Sequence, residues 1–342
     1  MLKRVVTTLA VAASMAMTGS AAWSQAQPKD IKWATSAVGS AGHKALVVLA
    51  NMLNKEMPQY RISALPTPGA IVTVKGFATG QFDGFYGSDI AYHELVTDTA
   101  RFKGFKATMK RMPIQSFWTF TTDVSLAIHS RNKDKIKKWG DLAGKRVFTG
   151  PLPWDVRAHI ERALNALDVK FVYHQIDLAT AGSHLEKGTI DAMLLYTSGG
   201  SPPPWLTEAS LAVDWAALNP SPEELAVLKQ KGLASVEIDP AAFKRDVHVK
   251  KVVELPFYYG FNVGLDVPAD DVYKMLNIIE KNGAELAKTD PAFSEIAKDM
   301  KGFQKRGVES SWNLVPIHPG LAKWMREKGV WDKKWDSKIA TM

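Results

Sequence analysis

The 342-residue sequence contains no cysteine. Disulfides, thiolate nucleophiles and cysteine-ligated metals are therefore excluded. The eight histidines (His43, His93, His129, His159, His174, His184, His248 and His318) do not form the His-Glu-x-x-His zinc pattern, so no metal is expected. A Gly-x-Ser-x-Gly nucleophile elbow is missing, because position 38 is Val, and Ser40 is not a hydrolase nucleophile. The stretch Gly140-Asp141-Leu142-Ala143-Gly144-Lys145-Arg146 is one residue short of a phosphate loop, and Arg146 stands where a magnesium-binding Ser or Thr belongs. The carboxylate pairs Asp270-Asp271 and Glu223-Glu224 fall at expected helix starts, where negative charge is favourable. Beyond residue 26 no apolar run is long enough to cross a bilayer. Nothing here assembles a reaction, and neither catalysis nor a cofactor is expected.

What is present begins with a basic start, Lys3-Arg4, a short apolar run over 5–17, and small residues up to Ala26. This is the pattern of a secretory signal peptide over 1–26, cut after Ala26, with Ala22 as the alternative cut and an anchor helix as the alternative reading. Export places the mature chain in the periplasm. Losing Lys3 and Arg4 takes the formal charge from +8 to +6. Lys133, Lys135, Lys137 and Lys138 form the one lysine cluster, read as a solvated face; with export, this argues against nucleic acid as a partner. A hydrophobic content of 46% and a charged content of 23% are those of a globular chain long enough for two domains.

Along the mature chain, strand, small-residue loop and helix follow one another. A strand over 31–35 leads through Ser36-Ala37-Val38-Gly39-Ser40-Ala41-Gly42 into a helix over 43–56 with Leu46, Leu49, Met52 and Leu53 on one stripe. Similar units are expected at 62–79, at 82–96 with Ser88 or Asp89 as the helix cap, at 146–167 with Asp155 as the cap, and at 171–187. A strand over 190–196 ends in Thr197-Ser198-Gly199-Gly200. Ser221-Pro222-Glu223-Glu224 opens a helix with a capping box, one long helix is expected over 268–288, and another over 318–328 with Pro319 in its first turn. The alternation implies a parallel α/β sheet covered on both faces. The two halves look alike, which suggests two α/β lobes: lobe 1 over 27–122 plus 256–342, and lobe 2 over 123–255, with crossings near 121–123 and 255–259.

Five motifs then occur in a telling order: Ala34-Thr35-Ser36-Ala37-Val38-Gly39-Ser40-Ala41-Gly42-His43, Gly80-Gln81-Phe82-Asp83 with Ser88-Asp89-Ile90-Ala91, Trp139-Gly140-Asp141-Leu142-Ala143-Gly144-Lys145-Arg146-Val147, Gly188-Thr189-Ile190-Asp191-Ala192, and His318-Pro319-Gly320-Leu321-Ala322. Together they resemble the extracytoplasmic solute-binding receptors of TRAP transporters, specifically the TAXI class. The resemblance implies a type II periplasmic-binding-protein fold: two α/β lobes, a two-strand hinge and a ligand in the cleft. It implies integral membrane subunits driven by an ion gradient as the partner, and a small organic anion, mostly a carboxylate, as the ligand. Lacking cysteine, the chain would be freely soluble and not lipid-anchored, and a monomer is expected. A receptor for an ATP-driven (ABC) uptake system, a ligand sensor for a histidine kinase and an exported enzyme are the competing readings.

Ligands of open α/β sheets sit beyond the C-terminal strand ends. That selects Ser36, Val38, Gly39, Ser40 and His43 in the first loop, Ser88 and Asp89 in the second, Thr149, Pro153, Trp154 and Arg157 in the third, and Tyr196, Thr197 and Ser198 in the fourth. Ser36, Gly39 and Ser40 offer hydroxyl and backbone donors, and Arg157 could pair with a carboxylate. Pro151-Leu152-Pro153-Trp154-Asp155 replaces the small-residue loop usual in the TAXI class, so Trp154 would narrow the pocket or stack on a planar ligand. Phe85, Tyr86, Trp118, Trp205, Phe257 and Tyr258 are further candidates for its walls. Closure of the lobes on the ligand is expected as a hinge motion.

Overall fold

The computed structural model describes residues 27–341. The proposed signal peptide over 1–26 therefore lies outside the described residues. In chain order the elements are β1 (Lys29–Thr35), α1 (Ala41–Glu56), β2 (Tyr60–Pro66), α2 (Ala70–Ala78), β3 (Gly84–Ser88), α3 (Asp89–Thr97), β4 (Trp118–His129) and β5 (Arg146–Phe148). There follow α4 (Asp155–Ala166), β6 (Val172–Tyr173), α5 (Ala181–Glu186), β7 (Ala192–Ser198), α6 (Pro204–Ala212), β8 (Trp215–Leu218), α7 (Pro222–Gln230), β9 (Val236–Ile238) and β10 (Val252–Val263). The chain closes with α8 (Ala269–Lys281), α9 (Gly283–Thr289), α10 (Ser294–Ser311) and α11 (Pro319–Glu327). No helix among the described residues is long and apolar enough to cross a membrane.

Local chemistry starts many of these elements. Ser40 caps α1, its hydroxyl accepting from the His43 N–H, and Ala45, Leu46, Leu49 and Leu53 bury one stripe. Ser221 and Glu224 exchange capping-box bonds at α7, with Pro222 at the first position. His318 caps α11 ahead of Pro319, Nδ1 accepting from the Gly320 N–H at 3.1 Å.

The strands run in the order β2-β1-β3-β10-β4-β7-β5-β6, with β8 added on β4 and β9 on β10. Pairing is parallel for β1 with β2 and β3, and for β5 with β6 and β7. It is antiparallel for β10 with β3, β4 and β9, and for β4 with β7 and β8. The expected all-parallel sheet is thus corrected to a mixed one. The reason lies in β4 and β10. β4 is twelve residues long, and all twelve are buried. β10 pairs with β9 at one end, with β4 in the middle and with β3 at the other. Two antiparallel strands therefore join an α/β group built on β1–β3 to one built on β5–β8. This is the type II periplasmic-binding-protein fold, two α/β lobes on a two-strand connection. The hydrophobic interior is divided too: a large core runs through both lobes, and a second, around Met193, Leu195, Trp215 and Phe243, fills the far face of the β7–β8 side.

Other boundaries differ from expectation. The single helix over 268–288 is two helices, broken at Asn282, where a Cβ on Gly283 would stand only 3.2 Å from the Cα of Ala297. Asp155 does not cap α4; Trp154 holds that position, without a side-chain bond. The lysines at 133, 135, 137 and 138 are exposed, as a solvated face requires.

Candidate functional site

Between the lobes lies a cavity of about 40 Å³ at the C-terminal ends of the strands. Three helix N-termini meet there: Ser40, Ala41 and Gly42 of α1, Gly69 and Ala70 of α2, and Trp154, Asp155 and Val156 of α4. The first N–H groups of a helix have no partner within it and carry the positive end of its dipole. At α1 Ser40 satisfies one of them; at α2 and α4 the capping residues, Gly69 and Trp154, provide no side-chain bond.

Hydroxyls complete the wall. Ser36 Oγ and Ser40 Oγ lie 2.6 Å apart, and Thr122 Oγ1 and Ser198 Oγ 3.1 Å apart across β4 and β7. Tyr86 stacks on Tyr259 with centroids 4.3 Å apart. Gly42 makes this possible, since a Cβ there would stand 2.7 Å from the Tyr86 ring. Tyr196 accepts a hydrogen bond from Trp205 Nε1 at 3.2 Å. Burial pushes the Tyr196 phenol up to about 12. Burial, and then the charge of Asp155, hold the Tyr86 and Tyr259 phenols well above the usual tyrosine range. All three hydroxyls are therefore neutral in the physiological range.

Asp155 is the one charged residue of the lining, and it is fully buried. Its Oδ2 accepts from Ser88 Oγ at 2.6 Å, and its Oδ1 from Arg101 Nη1 at 2.6 Å. Arg101 in turn donates Nε and Nη2 to the Glu94 carboxylate at 2.8 and 2.9 Å. Burial opposes the charge on Arg101, but Asp155 and Glu94 outweigh it and raise its pKa further. Ser88, Glu94 and Arg101 belong to the β3–α3 side, and Asp155 opens α4 on the other. A buried, charge-assisted network therefore ties one lobe to the other across the cleft. Nearby, Gly69 lies against the Pro153 carbonyl and the Trp154 ring.

Of the residues selected from the sequence, Ser36, Ser40, Trp154, Tyr196 and Ser198 line this cavity. Ser88 sits just behind it on Asp155, and also caps α3 by accepting from the Ala91 N–H. Pro153 borders it through its carbonyl. The structure places the others elsewhere. Val38 and Gly39 are at the exposed tip of the first loop, and His43 is half-buried on α1 outside the lining. Asp89 turns its carboxylate to the backbone N–H groups of Ile90 and Tyr258; burial pushes it up to about 7 against those bonds. Thr149 donates to Glu161 at 2.9 Å, and Thr197 to Glu254 at 2.6 Å. Arg157 pairs with Glu161 at 2.7 Å and lies over the Tyr173 ring, in a separate groove between α3 and α4. Its expected carboxylate partner is thus an internal one. Of the aromatic candidates only Tyr86 reaches the lining; Phe85, Trp118 and Phe257 are fully buried, and Trp205 and Tyr258 pack on the core.

Asp155, Tyr259, Thr122 and the Glu94–Arg101 pair were not anticipated. Asp155 had a local explanation as a cap, and Tyr259 sits on a strand the sequence marked only as a crossing. Arg101 had no signal at all. Among the described residues no group of three or more His, Cys, Asp or Glu could hold a metal.

The profile described as the NMT1-like family matches residues 33–329. The chain belongs to the NMT1-like family. No curated protein matches it in sequence. Among solved structures this NMT1-like chain is similar to the periplasmic aliphatic sulphonate binding protein SsuA of Escherichia coli, at 15% identity over 83% of this chain and 79% of that one, with a TM-score of 0.40. It is also similar to a putative L-cystine ABC transporter protein of Listeria monocytogenes, at 14% identity over 77% and 96% with a TM-score of 0.45. A probable amino-acid ABC transporter extracellular-binding protein of Bacillus subtilis gives 12% identity over 78% and 98%, with a TM-score of 0.46.

Proposed function

We propose that the chain is a periplasmic solute-binding receptor that captures a small organic anion between its lobes and delivers it to a membrane transporter. The observation that carries this reading is the convergence of three helix N-termini on one interlobe cavity lined by hydroxyls. Neither lysine nor arginine lines it, so the anion would be held by backbone N–H groups and hydroxyls, with Trp154 and Tyr86 as its apolar neighbours. Lobes over 27–122 plus 256–342 and over 123–255 would close by bending β4 and β10, and export over 1–26 would place the receptor in the periplasm.

The partner is proposed only as far as a transporter. Two of the similar structures are named as ABC proteins, which puts an ATP-driven uptake system ahead of the ion-gradient-driven TAXI type suggested by the motif order. Uptake by cells with the neighbouring permease genes, measured with ATP depleted or with the ion gradient collapsed, separates the two.

Native mass spectrometry of the purified protein, followed by calorimetry with the released molecule, tests the central reading. A bound monocarboxylate, sulphonate or similar anion is the expected result. A neutral sugar in the cleft, or turnover of the bound compound, would sink it.

A further inference from the structure

The two connecting strands carry a polar cluster that the cleft does not explain. Asp123 on β4 and Glu254 on β10 are buried, at 4% and 0% exposure. Asp123 lies opposite Pro256 of β10 and opposite Thr197 of β7. Glu254 is two residues from Pro256, so strand alternation puts it on the face that carries Asp123 and Thr197. Thr197 Oγ1 donates to Glu254 Oε2 at 2.6 Å. Ser125, also fully buried, follows Asp123 on that face of β4. Three oxygens here, Asp123 Oδ1, Glu254 Oε1 and Ser125 Oγ, have no hydrogen-bond partner.

Among the described residues no cation pairs with Asp123 or Glu254. Glu295 at the start of α10 faces Asp123 and accepts from the N–H and hydroxyl of Thr121. Asp290, ahead of α10, is matched by Lys44 at 3.8 Å, and Glu237 on β9 by Lys251. His159 of α4 lies against Phe257, on the opposite face of β10. Ionised carboxyl groups buried this way are strongly disfavoured, and two that share a site lose their protons in separate steps.

We propose that Asp123 and Glu254 form a proton-binding site in the connection between the lobes, holding the carboxylic-acid form near neutrality and releasing protons to solvent as the medium turns alkaline, which weakens the β4–β10 junction. Burial, with Glu295 adding to it, pushes Asp123 up to about 7; burial and then Asp123 push Glu254 well above the usual range. A carboxyl raised in the folded state gives stability that is complete below its ordinary value near 4 and is lost as pH rises through about 7. Acid therefore favours the intact junction. The inference rests on the two-strand connection and not on the identity of the ligand.

The test is infrared spectroscopy and thermal unfolding of the whole protein between about pH 5 and about pH 9, with Asp123→Asn and Glu254→Gln as isosteric variants. The wild type should show the carbonyl stretch of protonated carboxyl groups, fading as pH rises together with the unfolding temperature. Each variant should lose part of that band and show a shallower fall. If one variant fails to fold, the other and the wild-type titration still decide. The proposal is overturned if no band at about pH 6 differs between wild type and variant. It is equally overturned if sodium, potassium or calcium chloride specifically restores the wild-type unfolding temperature at high pH, which would make the cluster a cation site.

Discussion

Arg101 holds two carboxylates in a buried setting, and each would be left without its charge partner if it were removed. Arg101→Met is therefore expected to destabilise the protein by about 3 kcal/mol or more, read as a shift in urea unfolding. Asp155→Asn should cost less, because Arg101 keeps Glu94 and the amide can still accept from Ser88. Trp154 can be separated from this network. Lining the cavity among eleven tryptophans, it should dominate any ligand-induced fluorescence change, and Trp154→Phe should abolish most of that change with little effect on stability. A full signal in the variant would remove Trp154 from the ligand's surroundings. The residues selected from the sequence that line the cavity follow a strand end (Ser36), open a helix (Ser40, Trp154) or close β7 (Tyr196, Ser198). Arg101 and Asp155 meet across 54 positions of chain, and no local pattern encodes such a pair.

Elements with local start signals were the ones foreseen. The capping box of α7 is the clearest, and it does more than start a helix. Glu224 accepts from the Ser221 N–H at 2.8 Å and also from the N–H groups of Trp139 and Gly140, at 3.2 and 2.7 Å. Ser221→Ala should cost about 1 kcal/mol, the usual value of a cap. Glu224→Ala should cost clearly more, since it also leaves the turn before β5 with two unpaired donors; equal losses in chemical denaturation would deny that bridge. β10 shows where local reading fails. Its Pro-Phe-Tyr-Tyr run is apolar and aromatic on both faces, so the sequence hides the alternation the structure has, Phe257 and Tyr259 buried and Pro256 and Tyr258 half-buried; its pairing with β3, β4 and β9 comes from distant parts of the chain. The same nonlocality turned the expected parallel sheet into a mixed one.

At the scale of the molecule, buried histidines set the acid limit of stability. Burial pushes His318 down to about 4 and His159 down to about 3. Groups lowered in the folded state give stability that is complete above the ordinary value near 6.5 and is lost as pH falls through these values. His159 has no partner for either ring nitrogen and packs on Phe257. His159→Phe should therefore flatten the loss of stability between about pH 6 and about pH 3, as followed by denaturant midpoints. The cleft itself can be fixed shut. A Cβ at Gly69 would lie 3.6 Å from Pro153 Cβ, within the range of about 3.5–4.5 Å that a disulfide spans. With no native cysteine to interfere, Gly69→Cys with Pro153→Cys should cross-link under oxidation and slow ligand exchange, reversed by reductant. Failure to cross-link would show that the lobes do not rest in this approach. The Asp155 network gives that exchange a kinetic meaning. One carboxylate both faces the cavity and fastens the lobes, so the residence time of a captured molecule has a floor set by the breaking of Ser88 and Arg101 from Asp155, whatever the molecule's own contacts.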